Sequence, residues 1–126
     1  MALSSSKFKA MIQVVEILSH SPIVQQYVGD KIYPLINTDD ADGDFIAYQR
    51  AGYRRQDTKM GIAVQGTEFY ITVVSDNYNR SLDIAEAVYQ ALEGDHRDSG
   101  LRIRMTDNEE DYLDKKFCQI IKFTLE

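Results

Sequence analysis

Residues Phe69–Val74 read FYITVV, and no position in the run breaks its apolar or β-branched character. The run is too short for an ordinary helix, and its residue types favour a strand. Successive strand side chains point to opposite faces, so a strand that is apolar at both parities must be covered on both. That places Gly66–Ser75 inside a sheet rather than at its margin. The rest of the chain has to supply its neighbours and its covering layers.

Covering layers are legible as helices. Phe8, Met11, Ile12, Val15 and Leu18 recur at the three and four spacing of one helical face. This helix is expected to begin among Ser4, Ser5 and Ser6 and to end near His20, because Pro22 disfavours a helical Ser21. A short second turn is expected next, with Ser21 as cap, Pro22 first in the helix and Gly29 closing it after Tyr27 and Val28. Leu82, Ala85, Val88, Tyr89 and Leu92 share one face of another long helix, which starts after Asp76 and Asn77 and stops at Gly94.

Neighbouring strands are expected at Ile32–Tyr33, an edge strand before Pro34, and at Phe45–Tyr48. Two more follow from the alternation of Leu101, Ile103 and Met105 with polar residues, and from the even spacing of Phe117, Ile121, Phe123 and Leu125. Arg54–Gly61 reads as a long hairpin that turns near Asp57–Gly61 and projects into solvent, and acidic residues fill the connection between the last two strands. No regular strand–helix–strand alternation is present. The expected class is α+β, a mainly antiparallel four- to five-stranded sheet with two amphipathic helices packed on one face. At 126 residues, without repeat or low-complexity linker, the chain reads as one domain over 1–126.

Composition narrows the function classes. The apolar runs are far too short to span a bilayer, so no membrane partner is expected. Met1–Lys9 sets lysines beside Phe8 and does not read as a signal peptide, which makes the cytoplasm the expected compartment. Fourteen basic residues against twenty acidic ones give a net charge of -6, the opposite of a broad nucleic-acid footprint. The single cysteine, Cys118, falls in an apolar strand, where a small buried hydrophobe is the usual role.

The chain offers little that resembles catalysis. Asp39, Asp40, Asp42 and Asp44 around Gly43 resemble a calcium loop, but with Gly43 sixth the first ligand would be Thr38 and the twelfth Gln49. A solvated acidic loop is the better reading. His20 and His96 lack metal-ligand spacing, no serine sits in a nucleophile elbow, and no glycine run has the spacing that cradles phosphate. No catalytic, metal or cofactor-binding residue is assigned, and no cofactor is expected.

Charge distribution is more informative. Residues 39–44 hold four acids and no base, and residues 107–114 hold Asp107, Glu109, Glu110, Asp111 and Asp114. Between them Arg50, Arg54, Arg55 and Lys59 occupy the hairpin, with Tyr48 and Tyr53 beside them and only Asp57 opposing. A basic, tyrosine-bearing arm and acidic segments on one chain are complementary surfaces for a head-to-tail contact between copies, and such a contact that closes makes a ring. The expected interface residues are Tyr48, Arg50, Tyr53, Arg54, Arg55 and Lys59 on the arm, with Asp39, Asp40, Asp42, Asp44, Glu109, Glu110 and Asp111 on the acidic side.

The N-terminal amphipathic helix, VGDKIYPL (Val28–Leu35), DFIAYQRAGY (Asp44–Tyr53) and FYITVVSDNYNRSLDIAEAVYQAL (Phe69–Leu92) together resemble the tail completion or tail terminator proteins of long-tailed bacteriophages and prophages. The resemblance covers most of the chain. It implies a non-enzymatic structural protein that caps the head-proximal end of the tail tube and joins tail to head. It further implies a homo-oligomeric ring, a hexamer, with the tail-tube protein and head–tail connector proteins as partners and no sequence-specific nucleic-acid binding. Such a protein is found in the host bacterial cytoplasm during assembly and then at the head–tail interface of the virion. An acidic ring surface facing a channel would repel DNA phosphates and keep a passing duplex from sticking.

A reading from another class is a small α+β enzyme or ligand-binding dimer. Its pocket would use His20 or His96 with residues such as Tyr33 or Tyr48.

Overall fold

The computed structural model describes residues 10–34, 43–58, 61–96, 101–113 and 115–125 and, within these, all side chains but those of residue 10 and residues 52–66. The elements in chain order are α1 (Ala10–Ser19), α2 (Pro22–Val28), β1 (Ile32–Pro34), β2 (Phe45–Thr58), β3 (Gly61–Ser75), α3 (Tyr78–Leu92), β4 (Gly94–His96), β5 (Leu101–Leu113) and β6 (Lys116–Leu125). They form a six-stranded sheet in the order β1-β2-β3-β6-β5-β4. β3, which contains FYITVV, is an inner strand between β2 and β6, antiparallel to both.

Burial follows the alternation of β3. Phe69, Ile71 and Val73 enter the main core, and Val74 enters a second cluster with Phe45 and Cys118. Phe45, Val74 and Cys118 lie in register across β2, β3 and β6. Tyr33 from β1 caps this cluster, its ring centroid 6.2 Å from that of Phe45. Cys118 is therefore a buried small hydrophobe. In the main core Phe69 and Phe123 are cross-strand partners whose rings stack at 5.4 Å. α3 packs on β3, β5 and β6, while α1 and α2 pack against α3. Val14, Leu18, Val24, Val28, Ile84, Val88 and Leu92 supply the helical side of the core.

Helix ends follow local chemistry. Ser21 caps α2 by accepting from the Val24 N–H at 3.4 Å, Pro22 opens the helix, and Gly29 follows at φ 58°. Asn77 caps α3 by accepting from the Arg80 N–H at 3.0 Å. Gly94, just past the C-cap Glu93, has φ 120°, a backbone region that disfavours side chains.

Four expectations need correction. Among the described residues the sheet has six strands rather than four or five, because β4 adds an edge along Leu101–Ile103 from a segment with no apolar alternation. It is mixed, because β1 runs parallel to β2. Helices number three among the described residues, since the turn after Ser21 is a helix of its own. The acidic residues 107–111 also lie within β5 and not in its connection to β6, because β6 supplies a backbone ladder as far as Leu113↔Lys116. Aspartate and glutamate have low strand propensity, but at an exposed position ladder pairing outweighs it.

Candidate assembly interface

β2 and β3 outrun the sheet. β1 pairs with β2 only at Ile46, Ala47 and Tyr48, and β6 pairs with β3 no further out than Thr67↔Leu125. Beyond these points the two strands pair with each other as far as Thr58↔Gly61. The result is a two-stranded ribbon of five residues on β2 and six on β3, roughly 20 Å long at ~3.3 Å per residue. Register shifts at Arg50/Gly52 and Gln56/Asp57 interrupt the β2–β3 ladder, and irregularities of this kind strengthen local twist.

The basic candidates lie on and around this ribbon. Tyr48 is half-buried against the main core and Arg50 is exposed, paired in register with Phe69. Tyr53, Arg54 and Arg55 are opposite Thr67, Gly66 and Gln65. Lys59 lies outside the described residues, as do Asp39, Asp40 and Asp42.

On the acidic side, β5 is exposed at every position from Arg104 to Leu113. β4 covers its outer edge only at Leu101–Ile103. Glu109, Glu110 and Asp111 thus sit on an outer strand opposite Ile120, Gln119 and Cys118, where charge discourages indiscriminate strand addition. Glu110 is also anchored internally. It accepts from the Tyr78 hydroxyl at 2.7 Å and from the Gln119 amide at 3.0 Å, and the Gln119 amide also donates to the buried Ser81 hydroxyl at 3.2 Å. The Tyr78 bond, then the Gln119 bond, hold the Glu110 carboxyl below its ordinary range. The same bond to Glu110, followed by burial and the carboxylate charge, raises the Tyr78 phenol. Phe117 packs between Tyr78 and Tyr112 at ring distances of 5.5 and 4.9 Å.

Asp44 is an internal bracket at the entry to β2. It accepts from the Ser75 hydroxyl at 2.6 Å and from Arg80 Nε at 2.7 Å, and Arg80 lies 5.3 Å from the centre of the Tyr27 ring. The bond to Asp44, and then its charge, hold the Arg80 guanidinium above its ordinary value. Sequence reading did not single out Tyr78, Arg80, Ser81 or Gln119. The one available signal was Gln119, a lone amide inside the apolar run FCQII.

A groove of 360 Å³ runs between α3 and the β5–β6 pair, lined by Leu82, Ala85, Glu86, Tyr89, Met105, Asn108, Gln119, Ile120 and Ile121. Of the alternative pocket's residues, Tyr33 and Tyr48 lie on the adjacent strands β1 and β2, whereas His96 lies at the opposite edge of the sheet. Tyr33 is on β1 and His96 on β4, the two outer strands, five inter-strand steps or about 24 Å apart. His20 closes α1 with its Nδ1 2.7 Å from the Glu16 carbonyl. Among the described residues no group of three or more His, Cys, Asp or Glu side chains is arranged to hold a metal ion. Among them, too, no helix is long and apolar enough to cross a membrane.

No family model matches the chain, and no curated protein matches its sequence. A solved structure does match in fold. A chain from the virion of a native gene transfer agent particle superposes with a TM-score of 0.63 at 17% identity, over 89% of this chain and 90% of that one. At that identity the likeness establishes a shared fold.

Proposed function

We propose that this chain is a structural, non-enzymatic component of a phage-like virion, and specifically a single-domain protein that caps the head-proximal end of a tail tube and helps join tail to head. The observation that carries this reading is the fold shared with a gene transfer agent virion chain over nearly the full length of both. The sequence resemblance to tail completion proteins supports the finer role. In this reading the protein works as a closed ring of copies, six by that resemblance, with a tail-tube protein and head–tail connector proteins as its neighbours.

The contacts between copies follow from charge. Tyr48, Arg50, Tyr53, Arg54, Arg55 and Lys59 form the basic side, and Asp39, Asp40, Asp42, Asp44, Glu109, Glu110 and Asp111 the acidic side. A ribbon that projects about 20 Å beyond its own sheet reaches a neighbour without moving the core. The contact is heterologous, so it generates a ring when the rotation closes.

Charge reversal tests the assignment. Changing Arg54, Arg55 and Lys59 together to Glu should leave the fold intact, because Arg54 and Arg55 pair only within the ribbon, beyond the last β3–β6 pair Thr67↔Leu125. It should reduce ring formation and the yield of joined particles by about tenfold or more, since like charges then face each other. A folded triple variant that still forms rings and joins tails at the original yield would exclude the ribbon as the basic side.

A further inference from the structure

The groove between α3 and the β5–β6 pair adjoins the acidic side assigned above and has not yet been given an occupant. We propose that it is the receptor for the β2–β3 ribbon of a second copy of this chain, an inference that rests on the assembly reading above and names the surface through which it operates. Three observations converge on that occupant.

The first is chemical fit. Leu82 and Met105 line the groove and remain 39% and 36% exposed, so a visitor must bring apolar side chains. The ribbon's sequence supplies Ile62 and Val64, two positions apart on β3.

The second is charge. Residues 105–113 carry Asp107, Glu109, Glu110 and Asp111 and no base, a net of -4, and Glu86 lines the opposite wall. Residues 50–66 carry Arg50, Arg54, Arg55 and Lys59 against Asp57, a net of +3. Opposite potentials of this kind steer encounter and fix register more than they add affinity.

The third is backbone geometry. Past Tyr48, β2 has no described strand on its outer side, and past Ile103 neither does β5. On β5 the Met105, Asn108 and Tyr112 N–H groups already donate to the Glu93, Asp107 and Asp111 carboxylates, so the groove rather than strand pairing is the point of contact. The ribbon leaves the sheet at the end marked by Thr67↔Leu125, whereas the acidic half of β5 runs toward the Ser75↔Phe117 end. A chain's ribbon therefore points away from its own groove, and the contact has to be made between copies.

Cysteine pairing tests this on the full chain. In a Cys118→Ala background, Asn108→Cys in the groove is combined with Gln56→Cys or Gln65→Cys on the ribbon, and mass is followed by light scattering and by non-reducing electrophoresis. The expected result is covalent multiples of 14.4 kDa from at least one double variant, exceeding what either single variant yields. Met105→Lys, at a part-exposed position, should weaken association about tenfold or more with an unchanged circular dichroism spectrum. Oligomers without ribbon-to-groove pairing, and with association unaffected by Met105→Lys, would overturn the inference while leaving the ring in place. A chain that stays monomeric and unpaired at every concentration would overturn it too. The wider reading fails by a different result, the absence of this chain from purified particles.

Discussion

At the residue scale, Glu110 is the most connected of the exposed acids. It joins β5 to α3 through Tyr78 and to β6 through Gln119. Its carboxyl is held below the ordinary range, so its contribution to stability is present above the unfolded-state value and is lost as pH falls through the folded one. Tyr78 is held above its ordinary value, so its contribution is present below the unfolded value and is lost as pH rises through the folded one. The pair should therefore stabilise the protein most between about pH 5 and pH 10, between the two groups' ordinary ranges. Melting temperatures of the wild type and Glu110→Gln should differ across that window and converge below it; a difference that does not change with pH would contradict the assignment. None of this was legible in the sequence. Glu110 stood there as one acid in a run of acids, and only the Glu110↔Gln119 register brings it to the head of α3.

Elements were legible where their signals are local. Asn77, Ser21 and Pro22 stand beside the helices they begin, and those boundaries could be read directly from side-chain chemistry. Asn77→Ala should cost about 1 kcal/mol by leaving the Arg80 N–H without its cap, a fall of roughly 3–6 °C in melting temperature. Asn77→Asp should recover most of that loss, and a melting curve of Asn77→Ala indistinguishable from wild type would contradict the cap. Pairing between distant segments was less legible. The acidic half of β5 looks like a loop because its residues are poor strand formers, and it is a strand because β6 is one. β4 is a strand for the same reason, held by Leu101–Ile103 rather than by its own residues. The FYITVV run needed no partner to be recognised, since its two apolar parities already require cover on both faces.

For the whole molecule, the class α+β and the helical layer on one sheet face were evident from periodicity, while the mixed topology and the number of strands were not. The candidate interface was half-legible. Its basic and acidic segments stand out in the sequence, but the groove does not, because Leu82 and Met105 meet only when α3 lies along β5. What unites the levels is a sheet in which the basic β2–β3 ribbon and the acidic half of β5 lie toward opposite ends, an arrangement suited to head-to-tail assembly of copies. The most direct test of the proposed role is to delete the gene from the element that carries it and to examine the resulting particles by electron microscopy. The account predicts filled heads separate from tails, with tubes of uneven length, and restoration of joined particles when the gene is supplied again. Normally joined particles with tails of uniform length would contradict it.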